Sequence, residues 1–136
     1  MDLKDKERKE KNISKNKHFI YSLDFAITGL KTAFKDERNF RFHCFALVAV
    51  CMLGVVMRLS VIEWIWILLS ATLVIVMELV NTSLENLVDM ITNYHFHPLG
   101  KKVKDMGAGL VLVQAIFALI VGLLIFGPKF YDLIFH

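Results

Sequence analysis

The chain has 136 residues, room for one domain, with 16 basic and 13 acidic side chains and a formal net charge of +3. Yet 56% of its residues are hydrophobic and its mean hydropathy is +0.53, which excludes an ordinary soluble domain and requires a non-aqueous solvent. Cys44 and Cys51 lie one heptad apart in an apolar run, a placement that suits neither a disulfide framework nor a zinc site, so they read as small hydrophobes.

Residues 1–17 form a charged, lysine-rich tract without the apolar core or cleavage site of a signal peptide. They read as a flexible basic tail lying near acidic lipid, ahead of one membrane domain over 18–136. Within residues 19–35, Ile20, Leu23, Ile27 and Leu30 recur at helical spacing among polar partners. That pattern predicts an amphipathic surface helix, which anchors the chain or walls a site.

Three apolar stretches follow. The first spans 42–57 and is ended by Arg58. The second spans 61–80, where Ser60 and Glu63 give a capping box and Trp64 and Trp66 sit at interfacial depth. The third spans 107–127, carries no charge and stops at Pro128; at helical rise it covers about 31 Å, close to a hydrocarbon core. Gly107 and Gly109 at its entry read as close helix packing through small residues. The fold class is therefore an all-α membrane protein with three transmembrane helices and a surface helix.

Of the 16 Lys and Arg residues, 11 precede Phe42, while Lys101, Lys102 and Lys104 fall in the second loop. The positive-inside rule places the N-terminus and that loop in the cytoplasm and the C-terminus outside, in a multi-pass cell-membrane protein.

The chemistry concentrates after Met77. Glu78, Asn81, Glu85 and Asp89 fall within about 80° of one helix face. Carboxylates on a membrane helix need a cation, a partner charge or water to offset their cost. Asp89 alone is as well explained by a Lys or Arg on a neighbouring helix. A second cluster, Asp36, Glu37, Arg38 and Arg41, precedes the first span, and Lys104–Asp105 precedes the last. All three clusters converge on one level of a helix bundle. Such oxygen donors suit Mg²⁺, a nearby lysine suits phosphate, and a further carboxylate suits a hydroxyl proton. There is no Walker or kinase glycine-rich loop, so any nucleotide must be held by side chains on helices. His95 and His97 read first as solvated loop polarity, and the sequon at Asn81 falls on the wrong side of the membrane.

The run Glu78, Asn81, Glu85, Asp89, then His97 and Lys104-Asp105-Met106-Gly107, resembles the small bacterial membrane kinases of the diacylglycerol kinase and undecaprenol kinase family. The upstream segment from Gly29 to Arg41 resembles the same family. The resemblance implies a homotrimer of three-span subunits, with active sites shared between neighbours at the cytoplasmic interface. It implies Glu78 as the general base toward the lipid hydroxyl, Glu37 and Glu85 as holders of Mg²⁺ on ATP, and Asn81 and Arg41 on the substrate side. His97, Lys104 and Asp105 would contact the nucleotide, with Asp89 in support and His95 and Phe96 nearby. His18 and Phe25 stand where some members carry a nucleotide-contacting arginine and tyrosine.

Ala108 stands where the diacylglycerol-specific branch tends to have serine, and His43 replaces an acidic residue of that branch. Both features resemble the undecaprenol kinase branch. The expected activity is ATP-dependent phosphorylation of undecaprenol, with diacylglycerol as the alternative acceptor. The expected partners are ATP, a lipid alcohol, the bilayer and further copies of the chain, with no nucleic acid. A non-enzymatic subunit or ion-conducting oligomer would read the polar stripe as a pore lining, and leaves Glu37 and Lys104–Asp105 without a role.

Overall fold

The computed structural model describes the backbone of Leu3–Phe135 and the side chains of 18–135. Among these residues every regular element is a helix: α1 (Leu3–Asp36), α2 (Arg38–Val56), α3 (Val61–Thr92) and α4 (Pro98–Phe135). The chain divides into two compact units, α1 within Met1–Asp36 and the other three helices within Glu37–His136.

Helix α1 is longer than the expected surface helix, because it begins inside the tract read as a flexible tail. That tract is rich in Lys and Glu and has no Gly or Pro before Gly29, so helical propensity opposes nothing along it. Its large apolar residues Phe19, Leu23, Ile27, Leu30 and Phe34 are exposed within this unit.

Helices α2, α3 and α4 are each long and apolar enough to cross a membrane. At helical rise they measure about 28, 48 and 57 Å, so α3 and α4 outrun a hydrocarbon core of about 30 Å. Most large apolar side chains on them face outward, including Val113 and Leu124, as a chain solvated by lipid or by further copies requires.

A short turn joins α2 to α3. Arg58 is left-handed (φ 51°), and the Arg58 and Leu59 N–H groups donate back to the Val55 and Gly54 carbonyls at 3.2 and 3.0 Å, which closes α2 in a Schellman motif. Helix α3 then opens on the expected capping box: the Ser60 N–H donates to Glu63 at 2.6 Å, and the Glu63 N–H donates to Ser60 Oγ at 3.4 Å. Gly54 permits the hairpin to close, since a Cβ there would lie 2.8 Å from the Trp64 ring. Leu59, Ile67, Val121 and Phe126 form the apolar core beside this turn, with Trp64 and Leu53 packed on it.

The expected stop at Pro128 does not occur, because α4 runs through it to Phe135. A proline deletes one backbone donor, and membrane helices tolerate that loss. Just beyond it, Lys129 reaches Glu63 at 3.2 Å, tying the end of α4 to the start of α3. Asn93 and Tyr94, both left-handed, end α3 at the opposite level, and Pro98 opens α4 at the first helical position, where its missing donor is harmless.

Candidate active site

The polar stripe of α3 lies beside the start of α2 and the first turns of α4. Glu78 is buried, 3% exposed, and Asn81 is 7% exposed. The Asn39 side chain hydrogen-bonds the Glu78 carboxylate, while His43, Glu85 and Glu37 lie close enough to act on its charge. Carboxylates of α3 and of the N-cap of α2 thus gather around Glu78. Glu37 is the N-cap of α2, yet its side chain makes no capping bond, so its carboxylate is not committed to the helix end. Arg41 lies one turn further on, its N–H donating to the Glu37 carbonyl at 3.3 Å.

Asn81 Nδ2 donates to Glu85 Oε1 at 2.9 Å, which fixes that carboxylate one turn along the same face. Asn81 Oδ1 is buried without a hydrogen-bond partner among the described residues. It faces Gly107 of α4, where a Cβ would lie only 2.5 Å away. Gly107 therefore has the packing role expected of it, whereas a Cβ at Gly109 would meet nothing within 4 Å among the described residues.

One turn beyond Glu85, Lys104 Nζ of α4 meets Asp89 Oδ1 at 2.6 Å. Asp105 is turned instead to Lys101, 2.5 Å away on the exposed side of α4. His95, Phe96 and His97 are not drawn in with Glu78; they line a separate cleft of 390 Å³ with Val88, Thr92 and Gly100. His95 Nδ1 lies 3.3 Å from the Thr92 carbonyl. The structure thus forms two groups, the Glu37–Glu78–Asn81–Glu85 cluster and the turn cleft, with the Asp89–Lys104 pair on the helices that carry both.

Asn39 and the approach of His43 to Glu78 escaped the sequence reading of the site. Asn39 sits between Glu37 and Arg41, ahead of the stretch 42–57 read as the first span, and the earlier start of α2 at Arg38 brings it onto the helix beside Glu78; its polar side chain within that charged cluster was the available signal. His43 also lines an apolar cleft of 510 Å³ between α2, α3 and α4 that extends to Phe126 and Phe130.

Among the described residues no three His, Cys, Asp or Glu side chains form a ready metal cage. The looser Glu37–Glu85 arrangement still fits Mg²⁺ carried on a nucleotide, since that ion takes one or two carboxylates and completes its shell with phosphate oxygens and water.

Comparison with known proteins gives the family and relatives of this chain. The family described as prokaryotic diacylglycerol kinase matches residues 24–126. Undecaprenol kinase of Bacillus subtilis is 45% identical over 111 residues, 82% of this chain and 89% of that protein. A diacylglycerol kinase of Synechocystis sp. is 40% identical over 105 residues, 77% of this chain and 60% of that protein. The diacylglycerol kinase of Escherichia coli K12 is 29% identical over 101 residues, 74% of this chain and 82% of that protein.

Proposed function

The chain belongs to the prokaryotic diacylglycerol kinase family of membrane lipid kinases, and from that premise we propose that it transfers the γ-phosphoryl group of ATP to undecaprenol. The reaction takes place at the cytoplasmic face of a bacterial cell membrane, with the N-terminus inside and the C-terminus outside. The working form is a homotrimer whose sites are shared between neighbours, as the family resemblance implies.

Glu78 takes the proton of the acceptor hydroxyl as that oxygen attacks the γ-phosphorus and the bond to the ADP oxygen breaks. Burial beside Asn39 holds its carboxylate at a fixed depth, where an embedded alcohol presents its hydroxyl. Glu37 and Glu85 hold Mg²⁺, which neutralises phosphate charge when bound. Asn81 and Arg41 orient the acceptor side. Lys104 and Asp105 contact the nucleotide, with His97, His95, Phe96 and Asp89 around it. A pore-lining role for the stripe finds no support in the family.

The observation that carries the acceptor is the 45% identity to an undecaprenol kinase, supported by His43 and Ala108. Diacylglycerol remains the second reading because other relatives are diacylglycerol kinases. Undecaprenol has one primary hydroxyl and no ester carbonyls, so a site lacking a serine hydroxyl at position 108 forgoes nothing toward it. Ala108 is exposed in the single chain, so the donor counts where lipid or a further copy covers it; a donor missing from such a covered site costs about 1–3 kcal/mol, or roughly five- to more than a hundredfold in rate. Competing the two lipids at equal surface concentration tests the choice: undecaprenol is phosphorylated faster, and Ala108→Ser raises diacylglycerol use. Faster phosphorylation of diacylglycerol overturns the acceptor while leaving the lipid kinase in place.

A further inference from the structure

We infer that Gly107 is a positioning residue: its missing side chain lets the Asn81 amide lie against α4 in the one orientation that aims Nδ2 at Glu85. The inference rests on the reading of Glu85 as a holder of the nucleotide's divalent cation.

Three observations meet at this contact. Asn81 is buried and donates through Nδ2 to Glu85 Oε1 at 2.9 Å. Its other end, Oδ1, is buried with no N–H or O–H partner among the described residues, although a buried acceptor ordinarily finds one. What Oδ1 meets instead is the Gly107 backbone, so close that a Cβ there would lie 2.5 Å from Oδ1 and 3.5 Å from both Asn81 Cγ and Leu84 Cδ1.

An asparagine amide has two ends of opposite hydrogen-bonding sense, and rotation by half a turn exchanges them. With Oδ1 toward Glu85, a carbonyl oxygen would face a carboxylate, and repulsion would turn Glu85 away. The donor must therefore face Glu85, leaving Oδ1 to face α4. A glycine accommodates it there and supplies weakly polar Cα–H groups rather than a methyl. Any side chain at 107 displaces the amide from α4 and with it the bond that fixes Glu85. Gly109, with nothing within 4 Å of its Cβ position among the described residues, carries no such requirement there.

The test uses the full-length chain in detergent micelles with ¹⁵N-labelled asparagine. The chain contains six asparagines, so loss of one signal in Asn81→Ala assigns the Asn81 side-chain amide. In the wild type without metal, those protons exchange slowly; in Gly107→Ala they exchange faster and shift. Mn²⁺ binding, read by paramagnetic resonance with a non-hydrolysable ATP analogue, weakens roughly five- to a hundredfold in Gly107→Ala. In an Asn81→Ala background the same substitution changes Mn²⁺ affinity by less than about twofold, because the coupling partner is gone.

An unshifted Asn81 amide in Gly107→Ala overturns the inference, and so does an undiminished Mn²⁺ penalty in the Asn81→Ala background. If Gly107→Ala alone fails to assemble, the double variant Asn81→Ala/Gly107→Ala has room for the methyl and assembles; failure of both places the role of Gly107 in backbone packing instead. A wild type that binds no Mn²⁺ while the Asn81 amide responds as stated removes the cation role of Glu85 and leaves the positioning role standing.

Discussion

Lys104 of α4 and Asp89 of α3 form an ion pair of 2.6 Å across the turn that joins these two helices. Both side chains are partly exposed, at 36% and 25%, so the pair adds at most about 1 kcal/mol to stability. Its greater consequence is positional: the lysine proposed to contact the nucleotide is held at the end of the carboxylate stripe.

Lys104→Met is expected to raise the KM for ATP about tenfold or more, since it deletes a charge from the nucleotide side, with little change in thermal stability. Initial rates at varied ATP, with melting followed by circular dichroism, check both parts. An unchanged KM would remove Lys104 from the nucleotide site.

Glu78→Gln keeps the shape of the side chain and deletes its basicity. The expected result is a kcat lower by roughly 10² to 10⁴ with nucleotide binding largely intact, because a general base acts in the transition state. Near wild-type turnover would leave the buried carboxylate without its proposed role.

Glu37→Ala and Glu85→Ala are each expected to raise the Mg²⁺ concentration that gives half-maximal rate, since each removes an oxygen donor from a weakly held cation. Titrating Mg²⁺ at fixed ATP in both variants is the check. Unchanged midpoints in both would refute the assignment.

Gly54→Ala tests the packing at the other end of the bundle. The new methyl would stand 2.8 Å from the Trp64 ring and 2.9 Å from Leu59 Cδ1, and a rigid ring yields poorly, so a loss of about 1–3 kcal/mol is expected. Tryptophan fluorescence during denaturation reads it. Glu78 lies on the same helix as Trp64 but several turns away, so kcat in the folded fraction should change little.

The sequence made the carboxylate stripe readable because a helix repeats its faces every 3.6 residues whatever surrounds it. Ser60 and Glu63 were readable for the same local reason, their contact being set by three residues of spacing. The Asp89–Lys104 pair and the Gly107–Asn81 approach join positions on different helices, and only the bundle decides which residues meet. Lys129 on Glu63 was hidden twice over, by distance in the chain and by Pro128, which reads as a helix end when its neighbours are ignored. In residues 3–17 charge suggests a flexible tail, whereas helical propensity agrees with the helix that runs through them.

The most direct test is phosphoryl transfer itself. Purified protein is incubated with γ-labelled ATP and Mg²⁺ in micelles with and without undecaprenol. Label entering the lipid in step with ADP release, only when the alcohol is present, is the predicted result. ATP hydrolysis indifferent to the alcohol, or no labelled lipid with either undecaprenol or diacylglycerol, would contradict it.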